Sequence, residues 1–188
     1  MLLADLPLRL RLLSELGDIP EAEETGTTFT ENAMLKALHY SALGRMLTLS
    51  DDSGLAVDAL GGVPGVYSAR YAGPHATYAQ RMAKLLNELA ATKDDERRAR
   101  FVCVIAVADP STAALETFEG TCEGRIAHAP RGTGGFGYDP VFIPDGYEQT
   151  FGELPDAVKH SISHRARALA KAARHLRSRF NTPGLTPE

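Results

Sequence analysis

Residues 101–108 read FVCVIAVA, a run in which every side chain is apolar. A strand with one wet face alternates polar and apolar residues. A strand apolar throughout is buried. The run is far too short for the roughly 20 residues that cross a bilayer, so it predicts the core strand of a soluble fold. Residues 115–123 are placed to pair with it, and Asp109-Pro110 starts the turn between them.

The rest of the chain alternates helix and strand signals, with hairpins among them. Residues 8–13 alternate Leu with Arg, which predicts a strand. Residues 21–26 (EAEETG) form an acidic loop. Thr28-x-x-Glu31 and Thr77-x-x-Gln80 are capping boxes. The first predicts a helix to about Leu43, closed by Gly44. The second predicts a helix with Met82, Leu85, Leu86 and Leu89 on one face. Residues 46–50 predict a short strand running into Asp51 and Asp52, and 54–65 a strand followed by a hairpin or loop. A Gly-rich loop at 132–138 precedes a strand at 141–143. A last helix is predicted from His164 to Phe180, with Leu169, Ala173, Leu176 and Phe180 as its apolar stripe. The NTPGLTPE tail is expected to fray. This order gives a mixed α/β (α+β) fold rather than a simple doubly wound sheet.

The 188-residue length fits one domain, of two lobes at most. The formal net charge of -4 argues against a polymeric nucleic acid partner. The densest charge cluster, KDDERRAR at 93–100, mixes both signs and predicts a solvated turn. Cys103 and Cys122 lack metal-type spacing, and two reduced thiols suit a cytoplasmic protein. The start of the chain does not read as a signal peptide.

Four segments carry chemistry. Ser50-Asp51-Asp52-Ser53-Gly54 ends a short strand with two adjacent carboxylates, which point to opposite faces. One can bind a metal while the other takes a proton from water. Hard oxygen ligands suit Mg²⁺, which takes one or two protein carboxylates besides substrate phosphates. The same composition also suits an ordinary turn. In residues 132–140, glycines permit close backbone approach and two aromatics can stack on a planar base. This loop does not fit the P-loop spacing. Lys159 with Ser163-His164-Arg165 places cations near a helix start, which suits phosphate or a polarised carbonyl. Lys36, in Glu31-Asn32-Ala33-x-x-Lys36, can point from a helix at phosphates.

Together and in this order, ETGTTFTENAMLKA, LSDDSGLAVDALGGVPGVYSARYAG, GTGGFGYDPVFIP and ISHRARAL resemble the inosine/xanthosine triphosphate pyrophosphatase family. The resemblance runs from about Leu13 to Leu176. It implies a two-lobed mixed α/β fold with a central cleft, a homodimer, Mg²⁺ dependence, and hydrolysis of ITP, dITP and XTP to the monophosphate and pyrophosphate. Matched motif by motif, it makes Asp52 the catalytic base or a metal carboxylate, and Glu23 and Asp51 its metal partners. It puts Lys36 on the phosphates and Ser53 on the substrate. Phe136, Gly137, Tyr138 and Asp139 become the base pocket, with Phe136 stacking. Lys159, His164 and Arg165 contact the nucleotide, the last two reading the 6-keto oxygen. No membrane or nucleic acid polymer is implied.

The match departs from the family at the N-terminus. The family begins with a strand and a phosphate loop of the form [ST]-x-N-x-x-K, and this chain lacks that motif. Met1-Leu2-Leu3-Ala4-Asp5-Leu6 resembles the end of the helix that follows it. A strand, the loop and part of a helix amount to about 15 to 20 residues, and a misassigned start is the expectation. The alternative function is a protein that binds nucleotide with weak or no hydrolysis, for want of that loop.

Overall fold

The structure, a computed structural model, describes residues 6–180. The expectations for Met1 to Asp5 and for the tail fall outside those residues. Helices and a four-stranded sheet alternate as the mixed pattern predicted. The elements used below are α1 (Phe29–Gly44), β1 (Thr48–Val57), α2 (Tyr78–Glu88), β2 (Arg98–Asp109), β3 (Ala114–Ile126), β4 (Phe142–Pro144), α3 (Asp156–Ile162) and α4 (His164–Phe180). The strand order is β1-β2-β3-β4. Both capping boxes close as the sequence predicts, with Thr28 on Glu31 and Thr77 on Gln80. No helix among the described residues is long and apolar enough to cross a membrane.

The described residues pack into two compact units, with 6–52, 104–119 and 168–180 in the first, and 53–103 and 120–167 in the second. The first unit buries Ala33 and Ala37 of α1 against Val104, Ala106 and Ala108 of β2. Small residues on the helix let its backbone lie close to the strand. The second unit has the larger aromatic core, in which Leu55, Leu85, Leu89, Phe101, Tyr138, Phe142 and Phe151 are buried together. There β3 and β4 run antiparallel, with Arg125 opposite Ile143.

Several expectations are corrected. Residues 8–13 form no strand; the segment leads into a 3₁₀ turn at Leu13–Leu16. Leu10 and Leu12 are 55% and 69% exposed, so the alternation had no apolar surface to pack against. The second reading of DDSG as a turn also fails, because β1 runs unbroken through it. The left-handed residue ending α1 is Arg45, at φ 49, and Gly44 is the last helical residue. In α4 the buried stripe is Ala168, Ala172, Ala173 and Leu176, while Leu169 and Phe180 are half-buried. The 93–100 cluster is not wholly solvated either. Arg97 is 3% exposed and donates to the carbonyls of Leu89, Ile126 and Ala127 at 2.8–2.9 Å.

Asp109 ends β2 and pairs with Arg179 of α4, and it accepts from the Ser111 amide at 2.8 Å and hydroxyl at 2.7 Å. Burial alone would raise its carboxyl, but Arg179 and Ser111 outweigh that and hold it at about 2, below the ordinary 3.8. A lowered folded-state value stabilises the fold above the unfolded value, and the gain disappears as pH falls from about 4 through about 2. Asp109→Asn is therefore expected to lose about 2 kcal/mol at pH 7 and almost nothing near pH 2. Urea melts at both pH values check this, and an equal loss at both would refute it.

Candidate active site

In the first unit, β1 carries Asp52 beside α1. Lys36, two turns into α1, donates to Asp52 Oδ1 and to Glu24 Oε1, at 2.9 Å each. The Lys36 and Asp52 side chains are 16% and 11% exposed. Burial raises the Asp52 carboxyl from its ordinary value, and Lys36 only partly opposes it. Burial works against the Lys36 ammonium as well, yet its hydrogen bonds to Asp52 and Glu24 prevail and raise it, so it stays charged. A carboxylate with a raised proton affinity, fixed by a permanent cation, is suited to taking a proton from water.

Asn32, one helical turn before Lys36, is fully buried. Its side-chain oxygen accepts from the Gly26 amide at 2.8 Å, and its nitrogen lies 3.5 Å from Asp52 Oδ2. The amide thus ties the acidic loop to the helix on the side where Asp52 sits. A Cβ on Gly26 would meet the Asn32 side-chain oxygen at 2.7 Å, so only glycine fits this approach. Sequence reasoning passed over Glu24 and Asn32. The i, i+4 spacing of Asn32 and Lys36 puts both on one helix face and was the available signal. Glu23, the carboxylate picked from the acidic loop, is exposed, and Glu24 is the one that reaches Lys36. Asp51, half-buried, points from β1 to the face opposite Asp52.

Two carboxylates converging on one cation are the hard-oxygen donors, in the number, that Mg²⁺ takes from a protein. Among the described residues no three His, Cys, Asp or Glu side chains gather into a cage.

The second unit assembles the other group. Phe136 stands 62% exposed at the tip of the Gly-rich loop. Lys159 Nζ lies 4.3 Å from its ring centroid, and the Arg165 guanidinium 5.9 Å. Asp139, 2% exposed, accepts from the Phe136 amide at 2.7 Å and pairs with Lys159. Gly135, at φ 69, clears the space that the Asp139 carboxylate occupies. Asp139 thus fixes both the turn under Phe136 and the cation over it.

Tyr138 is 2% exposed and donates its hydroxyl to the Ser68 carbonyl at 3.0 Å. Burial raises the phenol, which keeps it neutral and a donor. Gly137 borders the Tyr78 ring. Lys159 belongs to α3, which sequence reasoning did not separate from α4. Ser163 breaks the two helices apart in an extended conformation, and its hydroxyl caps the Ala166 amide. Arg165 follows in the first turn of α4 and donates to the Ser53 hydroxyl at 3.0 Å. His164 is 6% exposed and stacks on Phe101 at 4.8 Å with the rings 13° apart. Arg165 is therefore the more accessible of the His164-Arg165 pair.

The sequence profile of the Ham1 family matches residues 1–175. A dITP/XTP pyrophosphatase of Desulfotalea psychrophila is 49% identical over 170 residues, covering 90% of this chain and 75% of that protein. A dITP/XTP pyrophosphatase of Rhodospirillum centenum is 52% identical over 152 residues, 80% of this chain and 74% of its own. Among solved structures, a HAM1 protein from Coxiella burnetii superposes with a TM-score of 0.88 at 43% identity, covering 94% of this chain and 90% of that one. A nucleoside-triphosphatase / dITP/XTP pyrophosphatase from Mycobacterium abscessus gives 0.74 at 42% identity, with 85% and 81% covered. By profile, sequence and fold alike, the chain belongs to the Ham1 family.

Proposed function

We propose that this chain is a nucleoside triphosphate pyrophosphatase that hydrolyses non-standard purine nucleotides (dITP, XTP and ITP) to the monophosphate and pyrophosphate, and so clears them from the nucleotide pool. The observation that carries the reading is the Asp52–Lys36–Glu24 arrangement. A half-buried carboxylate of raised proton affinity is held by a lysine in a chain about half identical to proteins named for this reaction.

Each residue has a role in that reaction. Asp52 takes the proton of the water whose oxygen attacks phosphorus. The bond between the α- and β-phosphates breaks, and pyrophosphate leaves. Lys36 offsets phosphate charge. Glu24 and Asp52 would hold Mg²⁺, with Glu23 and Asp51 beside them in sequence, and the ion would supply further charge neutralisation. The exposed Phe136 ring offers a face for a planar base. Lys159 and Arg165 are donors that a 6-keto oxygen satisfies and a 6-amino group does not.

The test is pyrophosphate release from XTP, dITP and ATP, with Mg²⁺ and with excess chelator. Release from XTP and dITP should exceed release from ATP by about a hundredfold or more, as expected where a site built to hydrogen-bond one group meets its analogue. Chelator should abolish it. Equal turnover of ATP would refute the selectivity, and nucleotide binding without pyrophosphate release would replace hydrolysis with binding alone.

A further inference from the structure

Arg81 lies in the first turns of α2 and is 8% exposed. Among the described residues no carboxylate pairs with it, and its Nε is buried without a hydrogen-bond partner. A buried guanidinium is costly when unpaired, and an uncharged side chain would fill the same space at less expense. Among the described residues the group it stacks on is an aromatic face, with the guanidinium 4.6 Å from the Tyr78 ring centroid. Tyr78 and Arg81 are three apart on the helix, and helical side chains lean toward the N-terminus, so the cation lies back over the ring.

The same ring supports the loop that presents Phe136. Tyr138 meets Tyr78 edge to face, at 6.0 Å and 85°. A Cβ on Gly137 would lie 3.5 Å from Tyr78 Cε1. One limb of the turn is therefore anchored by Asp139 through the Phe136 amide, and the other rests on Tyr78, which Arg81 covers. Tyr78 is 40% exposed, and Gly137, at φ 67, holds a backbone conformation that favours glycine, with no side chain of its own to fix it. Left uncovered, the ring has free rotamers, and the glycine beside it loses its floor.

We propose that Arg81 is a positioning residue. By stacking on Tyr78 it holds the Gly137–Tyr138 limb in place, and so sets how Phe136 is presented to the base. The part of this that concerns substrate rests on the pyrophosphatase reading; the part that concerns the loop does not. Arg81 acts through Tyr78 and touches no reacting atom. Its loss leaves the chemical step intact and makes the substrate order the loop on binding.

The experiment compares Arg81→Met and Arg81→Lys with the wild type. Amide hydrogen exchange is read in the ligand-free full chain, and KM and kcat are read on XTP. With Met, exchange should quicken at residues 135–138 and stay unchanged in β2. KM should rise about tenfold, the scale of a desolvated cation–π contact, while kcat holds within about twofold. Lys keeps a cation over the ring and should recover part of both effects. Exchange that quickens throughout the second unit, or nowhere, overturns the proposal, as does a kcat that falls with Tm while KM stays put. If Arg81→Met does not fold, Tyr78→Ala removes the same support from a more exposed position, with the same two readouts. A wild type inactive on XTP would refute the function and leave the exchange comparison to decide the loop.

Discussion

Asp52→Asn is expected to lower pyrophosphate release from XTP by about a thousandfold, the middle of the range for losing a positioned general base. The substitution keeps shape and hydrogen-bonding capacity. The amide oxygen can still accept from Lys36, which now holds Asp52 at 2.9 Å. What disappears is the negative charge and the ability to take a proton. Stability should change little, because Glu24 keeps the Lys36 ammonium paired and burial disfavours the Asp52 carboxylate in the folded state. Activity and melting temperature are therefore expected to separate. A thousandfold slower enzyme that melts with the wild type supports the assignment. A variant that keeps more than a tenth of the rate would move the proton acceptor elsewhere, with Glu24 on the same ammonium the next carboxylate to replace.

Much of this was legible in sequence where local chemistry decides the structure. The two capping boxes involve residues three apart, and both closed as written. The uniformly apolar 101–108 run needed only burial, and it lies within β2. Legibility failed where distant partners decide. Asp51-Asp52-Ser53-Gly54 has turn composition, yet pairing in the sheet holds it extended within β1. Arg97 read as a solvated charge, but its partners are carbonyls 8, 29 and 30 residues away. The candidate site divides along the same line. Asp52, Lys36, Phe136, Lys159 and Arg165 stand in motifs that are ambiguous singly and become distinctive only together and in order. Glu24 could not be told from Glu23 beside it, because only the position of Lys36 separates them. Tyr138 and Asp139 were assigned to the base pocket from the same motif. Both are 2% exposed, and their side chains are engaged by Ser68, Lys159 and the Phe136 amide.

Lys159→Met should be the most destabilising single change in the second unit's group, at about 3–5 kcal/mol, because it removes one partner of a buried ion pair. The side chains of Lys159 and Asp139 are 12% and 3% exposed. With the ammonium gone, the Asp139 carboxylate keeps the Phe136 amide as its hydrogen-bond donor, in a space too closed for water to replace what was lost. For a chain of this size that corresponds to a fall in melting temperature on the order of 10 °C. The double variant Lys159→Met/Asp139→Asn distinguishes an uncompensated charge from lost packing. An asparagine side chain in place of the carboxylate leaves no buried charge without a partner, and its oxygen could still accept from the Phe136 amide. The double variant should therefore recover most of the stability, giving a coupling energy of about 2 kcal/mol or more between the two positions. Additive losses would mean that Lys159 contributes through its contact with the Phe136 ring rather than by neutralising Asp139. Activity separates the two roles again. If the lysine also serves the base, the double variant regains its melting temperature while its KM for XTP stays high.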